Sequence, residues 1–187
     1  MQKLIVFNQI TLDGYFTGQN GDLSWAKENQ DDAEFQAFTR DNAKGGGVLL
    51  FGRITYEMMA GFWPTPQAAE MMPEVAKQMN SLPKVVFSRT MEKAAWNNTT
   101  VVKGDIVAEV RRMKQAPGPG MVIMGSGTIV AQLATEGVID EFQLVVYPVV
   151  LGQGRTMFEG VSRKLGMRLL SSRTFKNGVD VLCYEPR

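Results

Sequence analysis

Three short segments of this sequence combine residue types that hold phosphate. In Leu49-Leu-Phe-Gly52-Arg53-Ile54-Thr55-Tyr56 an apolar run turns at a glycine into a helical pattern. A helix begun this way presents unpaired N–H groups and a positive dipole end, and Arg53 adds a cation beside them. The same transition recurs, with two glycines, in Val122-Ile-Met-Gly125-Ser126-Gly127-Thr128-Ile129. Val130 stands where the third glycine of Gly-x-Gly-x-x-Gly would fall, so the dinucleotide fold of that name is poorly supported. In Val85-Val86-Phe87-Ser88-Arg89 a strand end offers a hydroxyl and a guanidinium together. Arg53 and Arg89 follow strand ends on the same expected edge of a sheet. Two such cations suit the 2′-phosphate that distinguishes NADP from NAD. Taken singly, each segment also reads as a structural turn with a solvated arginine.

Other chemistry is removed by composition. The 187 residues include no histidine, which excludes Ser-His-Asp and Cys-His nucleophiles and imidazole zinc sites. The single cysteine, Cys183, can form neither an internal disulfide nor a Cys-x-x-Cys site. It lies in an alternating segment and reads as a small core residue. Any difficult chemistry therefore falls to an organic cofactor. The formal net charge is +1, with no basic excess for nucleic acid. No stretch approaches the roughly 20 apolar residues that span a bilayer. Met1–Gly14 lacks a cleavage site and reads as a first strand, not a signal peptide. A reduced, cytoplasmic setting is expected.

These segments must be positioned by alternating strands and helices. Strands are expected over Lys3–Ile10, Val48–Phe51, Lys84–Phe87, Thr99–Lys103, Met121–Met124 and Phe142–Val150. Helices are expected over Asp32–Ala43, Ile54–Ala60, Pro73–Asn80 and Thr128–Thr135, with another after a cap at Asp105. Asp31 with Glu34 forms a capping-box pattern for the first helix, and a polar loop runs from Thr11 to about Gln30. The chain closes with strands over Arg168–Lys176 and Val179–Glu185 joined by Asn177-Gly178, a strong hairpin signal. No linker interrupts residues 1–187, so a single α/β domain is expected, its mainly parallel sheet extended by a C-terminal antiparallel hairpin.

The three glycine and arginine segments, in this order, resemble the dihydrofolate-reductase superfamily, and the likeness spans about residues 3 to 185. Gly52-Arg53-Ile-Thr55-Tyr56 is similar to its Gly-Arg-x-Thr-Trp, KVVFSR to its valine-rich strand ending in Ser-Arg, and MGSGTIVAQL to its Gly-Gly turn and helix. A closer resemblance is to the riboflavin-biosynthesis reductase, or RibD C-terminal, domain. Thr11-Leu-Asp13-Gly14 resembles its Ser-Leu-Asp-Gly. Gly137-Val-Ile-Asp140-Glu141-Phe and Pro148-Val-Val-Leu-Gly152-Gln-Gly154 resemble its Gly-Leu-Val-Asp-Glu-Leu and Pro-x-Leu-Leu-Gly-x-Gly. Asp140 and Glu141 also read as residues that merely precede a strand.

The resemblance implies a three-layer fold and NADPH-dependent hydride transfer to a small heterocyclic or ribityl-pyrimidine-like substrate, as in 5-amino-6-(5-phosphoribosylamino)uracil reductase and dihydrofolate reductase. It implies a cofactor groove lined by Gly52, Arg53, Ile54, Thr55, Ser88, Arg89, Gly125, Ser126, Gly127, Thr128 and Ile129. Nicotinamide would lie near Asn8, Gln9 and Thr11, under a lid over Asp13–Trp25. By position in the first helix, Glu34 lies nearest the superfamily's catalytic acid, with Asp32 the runner-up, although Glu34 also reads as part of a cap; Asp13, in the lid, is the next candidate. Two departures bear on substrate. Met58-Met-Ala-Gly-Phe-Trp63-Pro64 replaces the segment that binds ribose phosphate in the riboflavin enzymes, and Gly125-Ser126-Gly127 replaces their Glu-Gly-Gly. A catalytically silent binding protein on the same fold is the rival reading. A homodimer through the C-terminal strands is expected, since the riboflavin reductases also pair and Leu182 and Tyr184 share one face of the last strand.

Overall fold

The computed structural model describes residues 1–27 and 31–187; the last three residues of the expected Thr11–Gln30 loop lie outside them. The short apolar runs each become a strand, and the runs with helical spacing pack on them. The elements β1 (Leu4–Thr11), β3 (Val48–Gly52), β4 (Lys84–Phe87), β5 (Thr99–Val102), β6 (Met121–Met124), β7 (Glu141–Tyr147), β9 (Met167–Thr174) and β10 (Asp180–Pro186) form an eight-stranded sheet in the order β5-β4-β3-β6-β1-β7-β10-β9. Pairing is parallel from β5 across to β7 and antiparallel for β7–β10 and β10–β9. Two short strands, β2 (Tyr15–Thr17) and β8 (Arg155–Thr156), pair separately.

Strand periodicity sends alternate residues into opposite layers. Leu50, Val85, Phe87, Ile123, Phe142 and Leu144 pack on one face, under α5 (Ile106–Gln115) and α6 (Gly127–Thr135). Their neighbours Leu49, Phe51, Val86 and Val122 face the other way, against α2 (Arg53–Phe62) and α4 (Pro73–Ser81). On that second face Val145, Tyr147, Val179 and Val181 meet Phe35 of α1 (Ala33–Ala43). The three layers are thus helices, sheet and helices. No helix among the described residues is long and apolar enough to cross a membrane.

Several boundaries differ from expectation, each for a local reason. The cap of α1 is Asp32, not Asp31: its carboxylate accepts the N–H groups of Glu34 at 2.8 Å and Phe35 at 3.0 Å. The carboxylate of Asp32 is held below its usual pKa, foremost by the Phe35 N–H bond. β7 stops at Tyr147 because Pro148 has no N–H for the ladder. An unexpected helix, α3 (Pro66–Met71), starts from a Thr65 cap within a segment rich in proline. At Asn177-Gly178 the turn is not a two-residue one; only Gly178 has a positive φ, +84°. Its N–H bonds back to the Phe175 carbonyl at 3.0 Å and Phe175 N–H to the Val179 carbonyl at 2.9 Å, a three-residue loop closed by a glycine bulge.

Two polar groups brace the amino ends of the strands. Asp140 accepts the Leu4 N–H at 2.7 Å and Lys114 Nζ at 2.5 Å, tying β1 to α5. Lys84, 1% exposed, points its ammonium at the carbonyls of Leu82 (2.7 Å), Asn97 (3.2 Å) and Asn80 (3.4 Å) and over the Trp96 ring. Burial pulls its pKa down to about 8.

Candidate functional site

At the carboxyl ends of the parallel strands, two turns interlock. After β6 the backbone passes through two consecutive left-handed residues, Gly125 at φ +61° and Ser126 at φ +57°. A side chain at Gly125 is excluded, because a Cβ there would lie 2.9 Å from Cγ2 of Thr55. Ser126 carries a strain of about 1–2 kcal/mol in that conformation, which its bonds offset. Its Oγ accepts the Gly52 N–H at 2.9 Å and donates to the Met124 carbonyl at 3.2 Å, while its N–H donates to Oγ1 of Thr55 at 3.2 Å. Asn8, 2% exposed, brackets Gly125 from β1: its Oδ1 accepts the glycine N–H, and its Nδ2 donates to the glycine carbonyl at 3.2 Å and to Sδ of Met157 at 2.7 Å.

The helices leaving these turns are the unusual ones. Side chains cap α1, α3 and α5, through Asp32, Thr65 and Asp105. Neither α2, starting from Gly52, nor α6, starting from Ser126, has a side-chain cap. The helix α4 also lacks one, but Pro73 stands in its first turn and has no N–H to satisfy. First-turn N–H groups of α2 and α6 therefore stand at the cleft mouth without a side-chain oxygen.

A cleft of about 1160 Å³ opens here. It is larger than the typical small-molecule pocket of about 300–1,000 Å³. Of the residues expected at a site, Asn8, Gln9, Gly52, Arg53, Ile54, Thr55, Gly125, Ser126, Gly127, Thr128 and Ile129 line it. Arg53 does so while paired with Glu57 one turn along α2, at 2.9 Å.

Five expected residues are elsewhere. Thr11 is fully buried, and its hydroxyl joins Asp13 at 2.5 Å and the Tyr15 N–H at 3.0 Å. Asp13 accepts the N–H groups of Leu151 (3.1 Å) and Gly152 (2.8 Å). Its partial burial raises its pKa, but the bonds from Thr11, Gly152 and Leu151 outweigh this and leave it lowered. The hydroxyl of Ser88 accepts the N–H groups of Thr90 and Met91, shaping its own turn. Arg89 is exposed and outside the cleft wall, so Arg53 and Arg89 do not converge there. Glu34 points to the outer sheet edge, where it pairs with Arg173 of β9 at 2.6 Å.

The wall also contains residues not expected as cofactor contacts, among them Met58, Met59 and Trp63 of the segment that replaces the ribose-phosphate site and Phe16 to Gly21 from the Asp13–Trp25 loop. Phe87 and Met124 end β4 and β6, where the rule that ligands sit beyond strand carboxyl ends would have found them. Met58, Met59 and Trp63 continue along α2 from Thr55 at spacings of three or four, the helical spacing of one face. Phe16 to Gly21 form the rim and rest on β8 and its neighbours. Gly154 lies against the Thr17 carbonyl where no Cβ fits, and the Phe16 ring lies so close to Gly127 that a Cβ there would be 2.8 Å away. Gln19 and Gln153 pair at 2.9 Å across the same rim. Arg155 arrives on β8, directly after the Gly152-Gln-Gly154 segment, and is joined to Glu159 at 3.5 Å.

The RibD C-terminal domain family matches residues 2–181. The chain belongs to this family. The uncharacterized protein YyaP of Bacillus subtilis (strain 168) is 29% identical to it over 184 residues, covering 98% of this chain and 95% of YyaP. The fold is shared with a putative riboflavin biosynthesis protein from Shewanella sp. PV-4, with a TM-score of 0.73 and 24% identity over 100% of this chain and 99% of that one. It is shared more distantly with a dihydrofolate reductase from Enterococcus faecalis complexed with NADP(H) and RAB-propyl, with a TM-score of 0.64 and 14% identity over 99% and 96% of the two chains. As a RibD C-terminal domain, the chain places its cleft where the parallel strands end and the uncapped helices begin.

Proposed function

We propose that this protein is an NADPH-dependent reductase of a small cyclic compound. The observation that carries the reading is the pair of helices, α2 and α6, that open on the cleft with no side-chain cap. Uncapped N–H groups and dipole ends are what a dinucleotide's phosphates require. Gly125 leaves no side chain between those ends, and Arg53 supplies a cation at the same rim. Membership of a reductase family and the likeness to a reductase complexed with NADP(H) agree with it. Bound NADPH would supply the hydride. The chain's own share is to hold the phosphates at the two helix ends, to fix the Gly125–Ser126 turn through Asn8 and Thr55, and to exclude water beneath Phe16.

The lone, half-buried Cys183 fits a reducing compartment such as the cytoplasm. We also propose that two copies pair through the C-terminal strands. Leu169, 51% exposed, lies opposite Tyr184, and Leu182 opposite Leu144, so these side chains share one sheet face.

The test is calorimetric titration of NADPH and NADH into wild type and Arg53→Ala. NADPH should bind the more tightly. Loss of the charge-assisted contact should cost about 1.5–3 kcal/mol with NADPH and far less with NADH. Absence of NADPH binding would overturn the reading. NADPH binding without oxidation by any acceptor would favour the silent binding protein.

A further inference from the structure

The wall along α2 is unlike the phosphate end. Met58, Met59 and Trp63 face the cleft together with Phe16, Leu23 and Met124. No aspartate, glutamate, lysine, tyrosine or cysteine lines it among the described residues. Of the two cations present, Arg53 is given to the cofactor in the reading above, and Arg155 already meets Glu159 four residues on, at 3.5 Å. The amide of Asn8 is committed to Gly125 and Met157. Half-buried Gln9, on β1, keeps a carboxamide with no partner among the described residues.

We propose that the hydride acceptor is an uncharged, planar, conjugated carbonyl compound of the quinone class. It lies against Met58, Met59 and Trp63, with a carbonyl oxygen accepting from the Gln9 amide, and its proton comes from water. This deepens the NADPH reading above and rests on it.

A phosphorylated substrate would have to be desolvated against methionine and tryptophan without a free cation, which is costly. A flat aromatic ring instead gains from thioether and aromatic contacts. Hydride addition to an isolated C=O leaves an alkoxide, roughly as basic as hydroxide (water has a pKa of about 15.7), which needs a donor in the site. Hydride addition to a quinone leaves an aryloxide, whose conjugate acid resembles a phenol at about 10, and water protonates it unaided. The balance is quinone plus NADPH plus one proton giving hydroquinone plus NADP⁺. The C–H bond of the cofactor breaks with its electron pair, the quinone is reduced by two electrons, and the remaining proton is taken from solvent.

The probe is 2-methyl-1,4-naphthoquinone, first titrated without nucleotide while protein fluorescence is read. Saturable quenching is expected, with the saturable part lost in Trp63→Phe and the apparent Kd raised about tenfold in Met58→Glu. Melting curves check that the variants fold, and Met58→Gln serves if Met58→Glu does not. Ribose 5-phosphate should not displace the quinone. NADPH affinity is measured separately by calorimetry, so a failure of cofactor binding sinks the reductase reading while the quenching arm still decides the acceptor seat. In turnover with both, Gln9→Leu should raise KM for the quinone about tenfold with NADPH affinity within twofold, and kcat should stay flat from pH 6 to 7.5. Absence of saturable quenching, displacement by ribose 5-phosphate, or an acid limb in kcat within that range would overturn the proposal.

Discussion

The two flanks of β1 obey different rules. On one side β6, β3, β4 and β5 run parallel to it, and helices carry the chain back at every crossover except that from β4 to β5, which a helix-free stretch joins. All their carboxyl ends therefore meet at one edge, and helix starts gather there with them. On the other side β7 is still parallel, but β10 and β9 return antiparallel through a three-residue turn. No helix follows them, and β9 is exposed over seven of its eight residues. An extra residue, Leu170, bulges from β9 between the pairs Ser171–Cys183 and Leu169–Tyr184. Such a bulge blunts an edge against further strand addition, leaving the face of this flank as the apolar surface. One flank makes a ligand cleft because its connections are long. The other makes a surface because its connection is short.

The sharpest way to break this contrast is to substitute a left-handed glycine on each flank. Gly125→Val meets Thr55 and a φ of +61°, and should abolish measurable NADPH binding, more than a hundredfold, besides costing about 1–3 kcal/mol of stability. Gly178→Ala at φ +84° should cost about 1 kcal/mol and leave NADPH affinity unchanged. Calorimetry and urea denaturation on both variants decide it. A loss of binding in Gly178→Ala would show the flanks to be coupled.

The amino end of the parallel flank offers a smaller effect with a pH signature. Lys84→Met leaves three carbonyls without their donor, at a cost of about 1–3 kcal/mol. Burial lowers the folded pKa of Lys84 from 10.5 to about 8, so between those values the unfolded chain binds more protons. Stability of the wild type should accordingly rise from about pH 8 toward 10.5 relative to Lys84→Met. Denaturation midpoints for the two proteins that stay parallel across this range would return the ammonium to an ordinary pKa.

On the antiparallel flank, sedimentation equilibrium at micromolar concentration should give twice the 20.7 kDa chain mass. Leu169→Lys should weaken pairing about tenfold, about 1.4 kcal/mol, with NADPH binding intact. A wild-type mass of one chain would remove the dimer.

The smallest effect expected is at Glu34→Gln. Its pair with Arg173 lies on the surface at 55% and 49% side-chain exposure, where such pairs contribute under about 1 kcal/mol. Reductase turnover should keep the wild-type rate. A large drop in kcat would bring Glu34 back as a catalytic acid.

Much of the cleft was legible because helix starts and tight turns are local. Gly52 before Arg53, and Gly125 before Ser126, declare a strand ending and a helix beginning within a few residues, since only certain backbones turn there. The strand at Lys84–Phe87 matched residue for residue because four buried residues between Pro83 and Ser88 leave no other element. The helix over 66–71 is less plain in the sequence because prolines at 64 and 66 favour a turn, though Thr65 before Pro66 is itself a cap followed by a first-turn proline.

What the amino-acid sequence determined by itself was the layered α/β order and the two glycine turns, both governed by backbone conformation and short-range periodicity. Tertiary structure alone decided which side chains converge. Arg53 and Arg89 sit in equivalent places after their strands, yet one lines the cleft and the other does not. Glu34 left the site for Arg173, which is 139 residues away in the chain, and Arg155, on β8, entered the cleft wall beside Phe16, which lies far from it in the chain. A long side chain's direction follows from the partners brought beside it by the folded sheet, and those partners are not its neighbours in sequence.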